Sequence, residues 1–286
     1  MKQGEGEQAA YETPVVDFHV HVLSRREDWN EEAHKLIQRY NPSFYENLDK
    51  NTTAAGVLAE MDLAGIDSAV ILPEYAPLTH GTITNEFVAE LCSESERLIP
   101  FCNINPCIVD DTGRHLAKLV EEFDFKGVKL IPTYNHFYAN EQRLYPLYSE
   151  ARDRGIPVLV HTGSSVFKNA KLKYGDPLIL DEVAVDFPGL KIVMAHGGRG
   201  FWYDRAEFLC RLHENVFIDL SGLPPSNYLK YYPDFGKIID KLVYGSDWPT
   251  TPSRRKTIDT IKSLNISEDA KKKILGLTAA KLLDML

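Results

Sequence analysis

The sequence predicts an α/β protein folded as a closed (β/α)8 barrel, a TIM barrel, and three observations carry that prediction. Short β-branched apolar runs recur eight times along 286 residues. From the second run onward their starts lie 25 to 34 residues apart, the length of a strand, a loop and one returning helix. The segments between them repeat apolar residues at helical spacing and carry capping residues at their ends. Eight such units over about 250 residues fit a closed barrel better than the alternative, an open doubly wound sheet.

The runs cover residues 15–20, 69–72, 99–104, 127–131, 157–161, 191–196, 216–220 and 242–247. Between the first two, residues 24–52 interrupt the repeat with Trp29, Tyr40 and Phe44 among charges, an insertion expected over the barrel mouth. Val57, Leu58, Met61 and Ala64 then share one helical face that Gly65 stops. Leu116, Leu119, Val120 and Phe123 repeat the pattern after a cap at Asp111 or Thr112, and Leu144, Leu147, Tyr148 and Ala151 do so before Gly155. Asp176-Pro177 reads as a cap with proline at the first helical position. No Ser/Gly-rich linker divides the chain, so residues 14–286 are expected as one domain behind an N-terminal tail over residues 1–13.

Composition narrows the function classes. Hydrophobic residues are 44% and charged residues 26%, the balance of a globular enzyme with a sizeable core. Lys+Arg number 32 against 41 Asp+Glu, a net charge of -9, so no chain-wide basic surface for nucleic acid or anionic lipid is expected. No window reaches the roughly 18 apolar residues of a membrane span, and the first ten residues lack the apolar core of a signal peptide. Cys92, Cys102, Cys107 and Cys210 form no CxxC pair and read as reduced packing residues, which makes the cytoplasm the expected location. The expected partners are a small-molecule substrate and, by the commonness of symmetric pairs, a second copy in a homodimer.

Barrel enzymes place their chemistry at the C-terminal ends of the strands. Here those ends are mostly histidine: His19 and His21 on the first run, His161 on the fifth, His196 on the sixth, with Asp247 on the eighth. Nine histidines in 286 residues would put about half of one at some sixteen inward strand-end positions by chance, against the four that stand there. Two residues apart on a strand, His19 and His21 leave the same face with Cα atoms roughly 6.5–7 Å apart. That spacing lets two imidazoles converge on one ion at bonds of about 2.0–2.1 Å. His161 adds a third nitrogen and Asp247 an oxygen, leaving a position open for water. Asp17, one layer deeper on the same face, is expected to orient His19.

These residues resemble the amidohydrolase superfamily of metal-dependent barrels, and within it the amidohydrolase-related branch that contains both hydrolases and non-oxidative decarboxylases. The matching stretches are Asp17-Phe18-His19-Val20-His21, Gly127-Val128-Lys129-Leu130, Val160-His161-Thr162-Gly163, Ala195-His196-Gly197-Gly198 and Tyr244-Gly245-Ser246-Asp247-Trp248-Pro249. The resemblance implies that His19, His21, His161 and Asp247 hold a divalent ion, commonly zinc, with His196 beside it. Lys129 stands where two-metal members carry a carboxylated lysine that bridges the ions, and His161 and His196 would then serve the second metal. One metal, with Lys129 free to contact an anionic substrate, is the preferred expectation.

The leading functional expectation is hydrolysis of a small carbonyl substrate, an amide, lactone or ester. Activated water attacks, Asp247 shuttles the proton and His196 stabilises the oxyanion. The resemblance leaves open decarboxylation of an aromatic or dienoic acid, and a non-catalytic ligand-binding barrel is the distant alternative. Decarboxylases of the branch often carry a proline soon after the second histidine, where this chain reads His21-Val22-Leu23-Ser24, which leans toward hydrolysis. Arg199, Arg25 and Lys168 are candidates for a substrate carboxylate. Tyr134, Phe137, Tyr138 and Trp202 are candidates for a pocket around a planar ligand. His34, His115 and His213 read as solvated, and His80 and His136 as ordinary loop residues. Gly197, Gly198, Arg199 and Gly200 fit either an anion-binding nest or a close backbone approach.

Overall fold

The computed structural model describes residues 13–23, 25–251 and 253–286, so the expected tail lies outside the described residues save Thr13. Parallel strands fall into hydrogen-bonded sets of three and six. They form eight staves: β1 Val16–Val20, β2 Ser68–Ile71, β3 Leu98–Pro100 continued by Cys102–Asn103, β4 Val128–Leu130, β5 Val158–Gly163, β6 Ile192–Arg199, β7 Val216–Asp219 and β8 Leu242–Val243. Every run named from the sequence is a stave. The ladder of β8 is shorter than the expected 242–247, but the chain beyond it stays against β1. Phe18 N–H donates to the Tyr244 carbonyl at 2.9 Å, Asp247 N–H to that of His19 at 2.9 Å and His21 N–H to that of Trp248 at 2.8 Å. Those bonds close the ring and leave no edge.

Two apolar layers hold the barrel. Val16, Phe18, Leu159, Val193, Ala195 and Val243 pack inside it, where Phe18 meets Phe101 edge-on at 5.6 Å, and Ala279 and Leu282 of the last helix join this cluster. Val20, Ile71, Val128, Val158, Met194 and Ile218 face the surrounding helices. Those helices are built as their sequences dictate. Thr53 caps Ala54–Ala64 by accepting from Gly56 N–H, and Gly65 ends it in left-handed backbone at φ 72°. Asp111 caps Thr112–Phe123, and the Asp176 carboxylate accepts from Leu178 N–H to start the turn at Pro177. Three further helices, Glu31–Tyr40, Pro42–Glu46 and Leu48–Asn51, stand between β1 and Ala54–Ala64. Among the described residues no helix is long and apolar enough to cross a membrane.

Two features depart from the sequence reading. An antiparallel hairpin, Glu74–Ala76 with Gly81–Ile83, follows β2. The β1–β2 register also shifts between Asp17 and Val20. Strict alternation would put Asp17, His19 and His21 on one face. The shift instead lets Phe18 and His19 both turn inward, as a bulge does, while Asp17 meets Arg254 at the start of the helix Arg254–Ser263. Asp17 therefore does not lie beneath His19 on the inner face. It acts through the backbone, its Oδ1 accepting from Ser246 N–H at 2.7 Å and from His19 N–H at 3.4 Å.

Candidate metal centre

The staves deliver His19, His21, Lys129, His161, His196 and Asp247 to one cavity of about 330 Å³, shared with Trp29, Tyr40, Glu74, Tyr134, Phe167 and Arg199. His19 Nε2 and His21 Nε2 lie 3.1 Å apart. Asp247 Oδ1 lies 3.7 Å from the first and 3.6 Å from the second. Among the described residues these three form the group whose donor atoms all lie within 4.8 Å of one another. His161 is outside that trio, its ring centroid 4.8 Å from that of His196, which in turn stands 4.9 Å from that of His19.

The protonation of these rings follows from their partners. His19 Nδ1 is 2.5 Å from Asp219 Oδ2, so it donates there and turns a lone pair at Nε2 toward His21. Ser221 Oγ donates to the same Asp219 oxygen at 2.7 Å. His196 Nδ1 lies 3.0 Å from the Ser221 carbonyl, which only accepts, so this ring too carries its proton on Nδ1 and presents Nε2 unprotonated. Burial, with the Lys129 ammonium next, pushes the pKa of His19 and His161 well below the usual imidazole range. Burial and Arg199 do the same to His196. Burial would raise Asp247, yet its surroundings hold it well below the usual carboxylate range, and with His19 and His196 neutral the standing cation beside it is the Arg199 guanidinium. Burial raises Asp219 to about 7, opposed by the Ser221 hydroxyl. The set fits a divalent cation: converging imidazole lone pairs, an ionised carboxylate and a buried His161 Nε2 with no hydrogen-bond partner among the described residues.

Lys129 is buried at the floor with Nζ 3.1 Å from His19 Nε2, and burial lowers it to about 8. Arg199 donates to the Ser164 carbonyl at 3.2 Å and reaches within 3.6 Å of Asp247 Oδ2. His196 and Asp247 both hold left-handed backbone, with φ of 62° and 61°, a conformation costing about 1–3 kcal/mol each and typical of functional positions. The glycines after His196 serve close approach, since a Cβ on Gly198 would meet the Trp202 carbonyl oxygen at 2.3 Å.

Several expected residues fall elsewhere. Arg25 is exposed and only caps the short turn Arg26–Asp28, so it does not line the cavity. Trp202 packs edge-on against Phe201 at 5.5 Å ahead of the helix Tyr203–Leu212, and it too is absent from the cavity wall. Lys168 pairs with Glu32 at 3.2 Å, Phe137 is buried against the helices and Tyr138 packs on Tyr174. His213, expected to be solvated, bonds Asp181 at 2.7 Å. Of the aromatic candidates only Tyr134 lines the cavity. Conversely, Glu74, Asp219, Ser221, Phe167 and the buried His80 were missed. A signal existed for Asp219, which ends Val-Phe-Ile-Asp as Asp17 and His19 end their own apolar run.

Gly245 sits under this assembly, where an added Cβ would come 2.4 Å from Asp219 Oδ1 and 2.7 Å from His19 Cβ. Gly245→Ala is expected to destabilise the fold by about 1–3 kcal/mol, the usual range for overpacking. A urea unfolding midpoint equal to that of the unsubstituted chain would contradict this packing.

The family profile described as Amidohydrolase matches residues 16–285. Among solved structures, an uncharacterized TIM-barrel protein from Bordetella bronchiseptica is 21% identical at a TM-score of 0.77, over 95% of this chain and 98% of that one. A 5-carboxyvanillate decarboxylase from Novosphingobium aromaticivorans, complexed with manganese and 4-hydroxy-3-methoxy-5-nitrobenzoic acid, is 16% identical at a TM-score of 0.67, over 98% and 97%. A probable 2-pyrone-4,6-dicarboxylic acid hydrolase from Acinetobacter baumannii with citric acid bound is 20% identical at 0.69, over 94% and 99%. At these identities the likeness speaks for the barrel.

Proposed function

The chain belongs to the amidohydrolase family, and from that premise we propose that it is a metal-dependent hydrolase of a small, carboxylate-bearing amide, lactone or ester. The observation that carries this reading is the convergence of His19 Nε2, His21 Nε2 and Asp247 Oδ1 in a cavity that also presents the Arg199 guanidinium. His19, His21 and Asp247 would hold one divalent cation, zinc by expectation, with His161 Nε2 as the further donor. Bound there, such a cation supplies Lewis acidity, polarising a carbonyl and bringing the pKa of water from 15.7 toward about 7.

The remaining work falls to the chain. Asp247 accepts the proton of the attacking water and returns it to the leaving group. Arg199, whose planar fork matches a carboxylate, anchors the substrate. His196 was expected to donate to the oxyanion. As a neutral ring with its Nδ1 proton given to Ser221, it offers an acceptor at Nε2 instead. The donors to a developing oxyanion are then Lys129 and Arg199. A wall so rich in proton acceptors suits water activation.

A second reading, decarboxylation, is favoured by the aromatic walls Trp29, Tyr134 and Phe167, which suit a planar ring, and by the Lys129 ammonium as a proton source. Assaying the zinc- or manganese-loaded protein against lactones, amides, esters and hydroxybenzoates separates the two. The expected result is acid formation from water, lost on chelation and restored by the cation, with one ion per chain. Carbon dioxide release without hydrolysis makes the protein a decarboxylase. Two ions per chain would demand a carboxylated Lys129, and activity untouched by exhaustive chelation overturns metal dependence.

A further inference from the structure

The hairpin after β2 is tied into the mouth at several points. Tyr75 N–H donates to Asn103 Oδ1 at 3.0 Å, and Asn135 Nδ2 donates to the Tyr75 carbonyl at 2.8 Å. Asn30 N–H donates to the His80 carbonyl at 3.0 Å. The His80 ring is 1% exposed. It stacks on Phe167 at 4.4 Å, meets Tyr134 edge-on at 5.0 Å and leans on Trp29 at 5.7 Å. Thr79 Oγ1 lies 3.0 Å from its Nδ1, and Nε2 donates to Glu74 Oε2 at 2.9 Å. A histidine clamped on three sides thus fixes one carboxylate oxygen in the cavity wall.

That same oxygen lies 3.7 Å from His21 Nδ1. His21 Nδ1 is buried with no hydrogen-bond partner among the described residues, while Nε2 faces His19 and Asp247. A ring that ligates through Nε2 carries its proton on Nδ1, and such a proton is ordinarily given to a carboxylate or carbonyl that fixes the orientation of the ring. We propose that Glu74, held in place by His80, is the positioning residue that accepts a hydrogen bond from the Nδ1–H of His21 and sets that ring for the cation. The proposal rests on the reading above that His19, His21 and Asp247 hold a divalent ion.

Cobalt(II) serves as the probe, because its visible bands report ligand geometry apart from activity. Affinity is read by chelator competition on the whole chain and on Glu74→Gln, Glu74→Asp, His80→Gln, the double Glu74→Gln/His80→Gln, and His19→Ala as the ligand control. Glu74→Gln is expected to weaken binding about 10- to 100-fold and shift the bands, as loss of such a partner does. Glu74→Asp recovers part of the loss, and carries the test alone should the glutamine variant fail to fold. His80→Gln gives a smaller loss, and the double variant binds no more weakly than Glu74→Gln, since His80 acts through Glu74. Unchanged affinity and spectrum in Glu74→Gln, with one cobalt per unsubstituted chain, overturns this inference and leaves the cation reading standing. A loss as deep as that of His19→Ala makes Glu74 a ligand and overturns positioning. An unsubstituted chain that binds no divalent ion overturns the cation reading and this inference together.

Discussion

Asp247→Asn is expected to lower kcat/KM by about a thousandfold or more while leaving the fold intact. Asparagine keeps the shape of the side chain, so the substitution isolates the charge. At Oδ1 it removes the anion that stands 3.6–3.7 Å from the Nε2 atoms of His21 and His19. At Oδ2 it removes the proton acceptor beside Arg199. Loss of a general base alone costs about 10²–10⁴ in rate, and loss of one of three convergent donors weakens cation binding besides. The side chain is 14% exposed at the mouth and asparagine keeps its shape, so the urea midpoint should barely move. Rates on the best substrate of the panel, together with metal content, decide the matter. A variant that keeps its ion and a rate within tenfold would remove Asp247 from the chemistry.

Asp17→Asn is expected to destabilise the protein by about 3–5 kcal/mol, the cost of stripping one partner from a buried ion pair. At roughly 2–4 °C per kcal/mol for a chain of this size, the melting temperature should drop on the order of 10 °C. Arg254 is 3% exposed, with Nη1 3.9 Å from Asp17 Oδ2 and the guanidinium 4.8 Å above the Trp248 ring. Neither Nη1 nor Nη2 has a hydrogen-bond partner among the described residues. Asparagine still offers Oδ1 to Ser246 and His19 but takes from that guanidinium the carboxylate charge beside it. The reverse change, Arg254→Met, should cost less, because a carboxyl already raised to about 6 by burial can take a proton, whereas a guanidinium cannot shed one. Urea unfolding of both variants tests the asymmetry. Equal losses would mean that charge is not what the contact contributes.

The eight staves were legible because each is an apolar run of the right length at the right interval, and because parallel strands covered on both faces leave little room for ambiguity. The trio at the mouth was legible for a related reason: polar residues that end apolar runs have few structural excuses. What escaped was set by tertiary context. Glu74 opens, and His80 in the turn joins, a three-residue strand pair whose sequence, Glu-Tyr-Ala and Gly-Thr-Ile, carries no strong period. Arg254 stands in the first turn of a helix, where a charged residue ordinarily meets solvent. Arg25 and Trp202 were placed near the mouth by proximity in sequence, but the direction of a side chain leaving a loop is decided by neighbours that no local pattern names. Asp17 was misplaced by assuming unbroken alternation.

The register shift in β1 frees the two halves of that strand from each other. A regular strand has one phase, so any residue chosen for the floor dictates which residues face the opening. Here Val16 and Phe18 obey one phase and His19 and His21 the other. Packing below and chemistry above can therefore drift separately; were the phase of Val16 and Phe18 carried unbroken through the same residues, the imidazoles would turn into the helix layer.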